Sequence, residues 1–293
     1  MKVYRPLYCK DFKCIAEKCQ HSCCVGWEIS VDETTLEKYE ALGRDDILCH
    51  IKNGEIQLCE GGKCPFLTSC GLCRIISEFG DDYTSAICRE HPRFYHKIGN
   101  RVEGGIGLAC EEACRIILSS DLYREFYECE HTPEVSEETC FDGLSHRDFL
   151  LSLLSDSAMS FAEKKDCIRK KYSLETDIHT NDEWRQILLD LEYLEDEHRG
   201  LFVPGEGREK CSEIFERFLA YLIFRHVSVA DSYDNARARV GFCLMLCSLL
   251  EGYTAIGEPT FADMCDFARI VSEEIEYSED NTAELIFEFE SLL

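Results

Sequence analysis

Apolar residues recur every three or four positions through most of the chain after about residue 145. This is the spacing of amphipathic helices, each of which turns one apolar face toward a core. Ser145 is placed to cap the first of them. The apolar positions of the five clearest stretches are Phe149, Leu150, Leu153 and Leu154; Trp184, Ile187, Leu188, Leu191 and Leu194; Ile214, Phe215, Phe218, Leu219, Leu222 and Ile223; Phe242, Leu246, Leu249 and Leu250; and Phe261, Phe267, Ile270 and Ile275.

The first 140 residues carry a different pattern, in which short apolar pieces are broken by Gly, Pro and Cys. Asp32 is placed to cap a helix that carries Leu36 and Tyr39. A Gly-Asn pair at residues 99–100 separates two short apolar segments, which predicts a β-hairpin. The expected fold is therefore mainly α, with a cysteine-rich, irregular α+β module over residues 1–140. An α-helical bundle is expected over residues 141–293.

The charge is strongly one-sided, with 31 Lys and Arg against 57 Asp and Glu, a net charge of −26. Such a chain is a poor partner for nucleic acid or anionic membrane surfaces, and a better one for a basic protein segment. No apolar run approaches the roughly 20 residues that span a bilayer. The N-terminus shows no apolar signal region, so we expect a cytoplasmic protein.

Cysteine is the compositional outlier, since 15 of the 20 cysteines lie in the first 140 residues. Disulfides are rare in a reducing cytosol, so crowded cysteines there favour metal or redox chemistry. Iron–sulfur clusters and tetrahedral zinc both accept four thiolates, and spacing does not choose between them. Buried free cysteine also serves as a small apolar residue, which is the expectation for Cys211, Cys243, Cys247 and Cys265.

Four blocks of the first half resemble the flagellin lysine-N-methylase family. Residues 12–29 read FKCIAEKCQHSCCVGWEI and are similar to its opening motif, and residues 64–75, CPFLTSCGLCRI, to its second block. Residues 88–93, CREHPR, and 109–113, ACEEA, resemble two further elements. In the last block Ala109 and Glu111 replace the family's serine and proline, which argues against Cys110 as a fixed ligand.

The resemblance implies a methyltransferase that moves a methyl group from S-adenosylmethionine to surface lysines of flagellin or another protein. It also implies an iron–sulfur cluster, for which the four-iron type is favoured and zinc is the alternative. Clustering and resemblance together give the expected ligands, with Cys14 in reserve. They are Cys19, Cys23, Cys24, Cys64, Cys73 and Cys88.

Side chains of adjacent residues usually diverge, so one of Cys23 and Cys24 is expected to bind the metal and the other to pack. The chain has no G-x-G-x-x-G and no P-loop. The methyl donor is therefore expected in a cleft between the two modules, near Arg89, Glu90 and Arg93. The competing hypothesis is a non-catalytic zinc- or iron-binding adaptor, or a redox or metal-handling protein.

Overall fold

A computed structural model describes residues 1–131, 133, 135, 142–174 and 178–291. Its α-helices are α1 (Glu33–Leu42), α2 (Asp45–Leu48), α3 (Arg74–Phe79), α4 (Ala86–Glu90), α5 (Glu111–Ser119), α6 (Gly143–Leu154), α7 (Phe161–Lys171), α8 (Asn181–Asp190), α9 (Ser212–His226), α10 (Tyr233–Ile256), α11 (Phe261–Val271) and α12 (Glu279–Glu290). Its strands are β1 (Lys2–Pro6), β2 (Ile51–Lys52), β3 (Glu55–Ile56), β4 (Arg93–Ile98), β5 (Arg101–Ile106) and β6 (Phe126–Glu130).

The chain forms two compact units. The cysteine unit comprises residues 13–94 and 110–112, and the helical unit comprises residues 1–12, 95–109 and 113–293. This differs from a division at residue 140, because the β1 and β5 strands pair with each other inside the helical unit. Residues 132–142, an acidic stretch at the expected boundary between the modules, lie mostly outside the described residues.

The cysteine unit consists of short elements around a small apolar core. Asp32 caps α1 as expected, since its carboxylate accepts the backbone N–H of Thr35 at 3.0 Å. The same carboxylate accepts the N–H of Ala86 at 2.8 Å, which fixes the start of α4 against the start of α1. Fully buried side chains of the core are Ile29, Tyr39, Ile47, Phe66 and Ile75.

A four-stranded sheet in the order β4-β5-β1-β6 belongs to the helical unit. Strands β4 and β5 form the predicted hairpin, and Gly99 takes a φ of 55° in its turn, which a side-chain-free residue adopts easily. Strand β1 runs parallel to β5, with Val3 opposite Val102, and antiparallel to β6, with Val3 opposite Cys129. The described strands all end before residue 131, as the sequence predicts.

Helices α9, α10, α11 and α12 supply most of the remaining core, and α10 packs against the other three. Helix α10 is long and apolar enough to cross a membrane by composition, but 67% of its apolar window is buried inside the protein. That burial is typical of a core helix. The predicted core residues Phe215, Phe218, Leu246 and Leu249 are all at most 1% exposed. The mainly α architecture is confirmed.

Three details of the helical prediction were wrong. Helix α6 is capped by Asp142 rather than Ser145, because the Asp142 carboxylate accepts the Ser145 N–H at 3.2 Å. Phe149 is 43% exposed, since α6 turns Leu150, Leu151 and Leu154 inward instead. Helix α8 ends at Asp190, which leaves Leu194 outside it and 56% exposed.

Candidate metal centre

The segment that carries Cys23 and Cys24 is held by backbone hydrogen bonds to the segment that carries Cys64. The N–H of Cys64 donates to the carbonyl of Cys24 at 2.8 Å, and the N–H of Gly26 donates to Gly62 at 2.9 Å. Cys24 and Cys64 therefore lie side by side, although 40 residues separate them.

Cys73 and Cys88 join this pair. Cys73 forms an isolated antiparallel β-bridge with Leu67, which lies three residues after Cys64. Cys73 also packs with Cys24 and Cys64 around the same apolar core. Cys88 lies in α4 and interacts electrostatically with both Cys24 and Cys73. We call Cys24, Cys64, Cys73 and Cys88 the inner tetrad. It contains four of the six predicted ligands.

Thiol acidity within the inner tetrad shows how strongly its members interact. Burial, with smaller contributions from the neighbouring charges of Cys24 and Cys73, raises the pKa of Cys64 to about 12. Desolvation likewise raises the pKa of Cys73 and of Cys88. Cys24 is the exception, because a hydrogen bond from the Cys23 thiol lowers its pKa to about 7. Ionising several of these neighbouring thiols together is therefore unfavourable, and a bound cation would offset that cost.

The other two predicted ligands, Cys19 and Cys23, lie in a second group with Cys14 and Cys110. The strongest interaction of Cys23 is the hydrogen bond that its thiol donates to Cys24, so the two groups are in contact; Cys23 also interacts electrostatically with Cys110 and Cys14, and Cys19 interacts with Cys110. The carboxylate of Glu111 accepts the backbone N–H of Gln20 at 2.8 Å and contacts the Cys19 thiol at 3.6 Å. We call Cys14, Cys19, Cys23 and Cys110 the outer tetrad.

The described residues contain no three His, Cys, Asp or Glu side chains already in the arrangement a metal ion needs. Metal binding would thus have to draw the thiols of a tetrad together, as is common where binding is coupled to folding. The donor set nevertheless fits, because four soft thiolates suit zinc or an iron–sulfur cluster. In the described parts of the chain, no cysteine is joined to another by a disulfide bond.

Cys70, the first cysteine of the Cys70-x2-Cys73 pair, belongs to neither tetrad. It is exposed, and its thiol lies 3.1 Å from the Thr68 hydroxyl. The familiar chelating spacing therefore does not identify a ligand pair here. The sequence feature that pointed to the metal ligands is the recurrence of cysteines in separate blocks of the chain.

The residues expected near the methyl donor follow Cys88 directly. The Arg89 guanidinium donates a hydrogen bond to the carbonyl of Thr84 and so stabilises the loop before α4. Burial lowers the pKa of His91 to about 4, with a further contribution from the Arg93 charge. The His91 ring lies 6.5 Å from that of Trp27, which is half-buried. The role of Arg89, Glu90 and Arg93 in donor binding stays a prediction.

Comparison with known proteins adds a family. The flagellar biosynthetic protein FliU of Salmonella muenchen is 35% identical over 130 residues, which cover 77% of that protein and 40% of this chain. The chain belongs to the FliU family. Lysine-N-methylases of Salmonella choleraesuis and Salmonella typhimurium are also 35% identical over 130 residues, but the match spans only 32% of each. No family model matches the chain, and no solved structure matches it.

The helical unit of this FliU-family protein contains a buried polar network that the sequence did not predict. A short π-helix, Ser272–Glu276, places the Glu276 carboxylate 2.7 Å from His226 Nε2 and 3.6 Å from Arg225 Nε. Burial alone would raise the pKa of Glu276, but Arg225 and His226 outweigh it and lower that pKa. Arg225 also donates to the Tyr221 hydroxyl at 2.8 Å. Adjacent Arg225 and His226 near the end of an apolar helix were the available signal.

A cavity of about 300 Å³ lies elsewhere in the helical unit. Arg147 lines it, is 1% exposed, and pairs with buried Glu103 and with Asp148. The Arg101 guanidinium lies 2.8 Å from the second Glu103 oxygen. The full lining is Arg101, Arg124, Phe126, Arg147, Asp148 and Leu151. A lone glutamate inside the apolar strand β5 was the only sequence signal for this site.

Proposed function

We propose that the protein is a metal-dependent protein-lysine methyltransferase that uses S-adenosylmethionine. The observation that carries the proposal is its similarity to two proteins named lysine-N-methylase. The inner tetrad supports it, because a thiolate-held metal centre needs several cysteines from separate loops. Flagellin is the substrate we infer, since FliU is named for flagellar biosynthesis. The reaction would take place in the cytoplasm, before the substrate is exported.

The reaction transfers a methyl group from the sulfonium sulfur of the donor to the ε-nitrogen of a lysine. The lysine must first lose a proton, because only the neutral amine has a free electron pair. S-adenosylhomocysteine and the methylated lysine are the products. The chain's own contribution is the ligand set and an acidic surface, whose net charge of −26 attracts lysine-rich protein.

A metal centre in the inner tetrad would be held by Cys24, Cys64, Cys73 and Cys88. If only three of these thiolates held a four-iron cluster, the fourth iron would be open and could bind the amine and carboxylate of the donor. Arg89 and Arg93 are the cationic side chains closest in sequence to Cys88, and we assign them the donor carboxylate. We infer that a tyrosine or carboxylate of the chain accepts the proton of the lysine.

A second candidate function is a non-catalytic metal-binding factor in flagellar biosynthesis. The observation that favours it is the share of each relative that aligns with this chain. The alignment spans 77% of FliU but only 32% of each lysine-N-methylase.

Anaerobic purification, metal analysis and the visible absorption spectrum test the metal centre. We expect iron, sulfide and a charge-transfer band, whereas zinc with no visible band would replace the cluster hypothesis. Isothermal titration with S-adenosylmethionine then tests the enzyme hypothesis. Binding is expected for metal-replete protein and should be weakened in Arg89→Ala. No binding at millimolar donor would favour the non-catalytic factor.

A further inference from the structure

We propose that the helical unit binds a small molecule with a dianionic oxyanion group, a phosphate or a pair of carboxylates, in the cavity lined by Arg101, Arg124 and Arg147. The volume of about 300 Å³ lies at the lower end of the range for small-molecule pockets, roughly 300–1,000 Å³. The inference goes beyond the proposed function, which assigns the methyl donor to residues next to Cys88.

Positive charge collects at this cavity, although the chain as a whole carries a net charge of −26. The three arginines come from three separate elements, which are β5, the turn before β6, and α6. The negative charges beside them are Asp148, which also lines the cavity, and buried Glu103. Three positive charges against two negative ones leave an excess of one positive charge. The cavity therefore attracts anions, in contrast to the acidic chain around it.

Arg147 is the arginine that the fold holds in place. It is 1% exposed, and its Nε and Nη2 atoms donate to Asp148 Oδ1 at 2.9 and 2.7 Å. Its Nη1 atom donates to Glu103. The Phe126 ring packs against the guanidinium, with 5.1 Å between the ring centre and the central carbon. All three nitrogens of Arg147 are thus occupied, so a ligand would be bound by the other two arginines.

Arg101 has donors that the protein leaves unused. Its Nε atom lies 2.8 Å from Glu103 Oε1, but the two buried atoms are not aligned and form no hydrogen bond with each other or with any other described residue. The guanidinium lies over the Tyr4 ring, 4.0 Å from the ring centre. That contact uses the face of the guanidinium and leaves the N–H groups at its edge for a ligand.

Arg124 also keeps most of its hydrogen-bonding capacity. Its Nη1 atom donates to the Ser155 hydroxyl at 2.6 Å, which holds the side chain at the cavity. Within the described part of the chain this is the guanidinium's one hydrogen bond, so Nε and Nη2 are left to bind a ligand.

The chemistry of these free donors defines the ligand class. A guanidinium presents its N–H groups in a planar fork that matches two oxygens of a carboxylate or a phosphate. Two such forks, from Arg101 and Arg124, suit a group that carries two negative charges. Such a ligand would also satisfy the buried Nε donor of Arg101, which gains no hydrogen bond from the protein.

Isothermal titration of the full-length protein at low ionic strength tests the site. Inorganic phosphate is one probe and malonate, a dicarboxylate, is the other. We expect saturable binding of at least one probe, at one site per chain and with a Kd of about 1 mM or tighter. The probe that binds more tightly identifies the oxyanion. No saturable binding of either probe at about ten times that concentration would overturn the proposal.

Variants assign the binding to the cavity. Arg101→Gln and Arg124→Gln each remove one fork, so we expect each to weaken binding by about tenfold or more. The matched control is Arg185→Gln, which removes the same charge from an exposed position of α8 in the same unit. It should bind the probe as the wild type does.

Circular dichroism checks that each variant folds, and Arg124 is exposed, so its replacement leaves the core intact. Wild-type affinity in folded Arg101→Gln and Arg124→Gln would overturn the proposal, because the anion would then bind elsewhere. Equal weakening by Arg185→Gln would also overturn it, since the probe would then respond only to net charge. Methyl transfer plays no part in these titrations, so their failure and the failure of the proposed function are distinguishable.

Discussion

Cys73 and Cys88 are the residues whose loss should affect the inner tetrad most directly. Replacing either with serine removes one of four thiolates, and metal binding contributes to the folding free energy of such a unit. We expect both variants to lose the metal of the inner tetrad and to melt at lower temperature. The measurement is metal content per chain, together with thermal unfolding.

Two cysteine variants outside the inner tetrad serve as controls for this loss of metal. Cys70→Ser removes an exposed thiol from the same loop, and Cys243→Ser alters a cysteine that is 0% exposed in the core of the helical unit. Both should retain full metal content, although Cys243→Ser will lower stability through its packing. Full metal in Cys73→Ser and Cys88→Ser would refute the ligand assignment.

His96 predicts how stability depends on pH. Burial, followed by the charge of Arg225, lowers its pKa from 6.5 to about 3. The unfolded chain then binds a proton near pH 6.5 while the folded chain does not, so stability is lost as the pH falls below 6.5. One such group contributes a slope of up to about 1.4 kcal/mol per pH unit.

Replacing His96 with glutamine should remove this contribution. Urea unfolding at pH 7, 6 and 5 should show the variant losing stability less steeply than the wild type, by up to about 1.4 kcal/mol per pH unit. Parallel pH profiles for the two proteins would contradict the buried, neutral state of His96.

Among the elements, the contact between α10 and α12 depends on one glycine. A Cβ atom at Gly241 would lie 2.4 Å from the Phe289 ring, which is far inside van der Waals contact. We expect Gly241→Ala to destabilise the protein by about 1–3 kcal/mol through overpacking. This outweighs the gain of about 1 kcal/mol that alanine brings to a helix interior.

A double-mutant cycle checks the cause. In a Phe289→Leu background, the smaller side chain leaves room for the new methyl group, so Gly241→Ala should cost less than it does alone. Chemical denaturation of the four proteins gives the interaction energy. An equal cost in both backgrounds would place the strain elsewhere.

The elements were also the part of the fold that the sequence predicted best. Helical periodicity gave the core faces of α9 and α10, because those helices are buried along most of their length. The periodicity did not predict the helix ends correctly, because local hydrogen bonds determine where a helix begins and ends. Asp142 competes with Ser145 as the cap of α6, and α8 ends before Leu194 although the apolar spacing continues.

The candidate site was less predictable, because ligand sets depend on which loops meet. The Cys70-x2-Cys73 spacing is by itself a weak signal, and the Cys70 thiol lies beside the Thr68 hydroxyl rather than among the partners of Cys73. Cys110 was discounted because the sequence around it departs from the family pattern. Its neighbour Glu111, one of the departing residues, proves to fix the loop of Cys19.

For the whole molecule, the net charge of −26 makes a prediction about substrate binding. Attraction between an acidic protein and a lysine-bearing substrate is screened by salt, with a Debye length of about 10 Å at 0.1 M. We expect the affinity for flagellin to fall steadily as sodium chloride rises from low to high concentration. Affinity that does not change with salt would indicate recognition by apolar contacts instead.

Methyl transfer is the measurement that tests the central claim most directly. Metal-replete protein, prepared without oxygen, is incubated with flagellin and S-adenosylmethionine carrying a deuterated methyl group, and the flagellin peptides are analysed by mass spectrometry. The account predicts labelled methyl groups on lysine side chains, and none with the Cys73→Ser variant. Unlabelled flagellin after incubation with protein that retains its full metal content would contradict it.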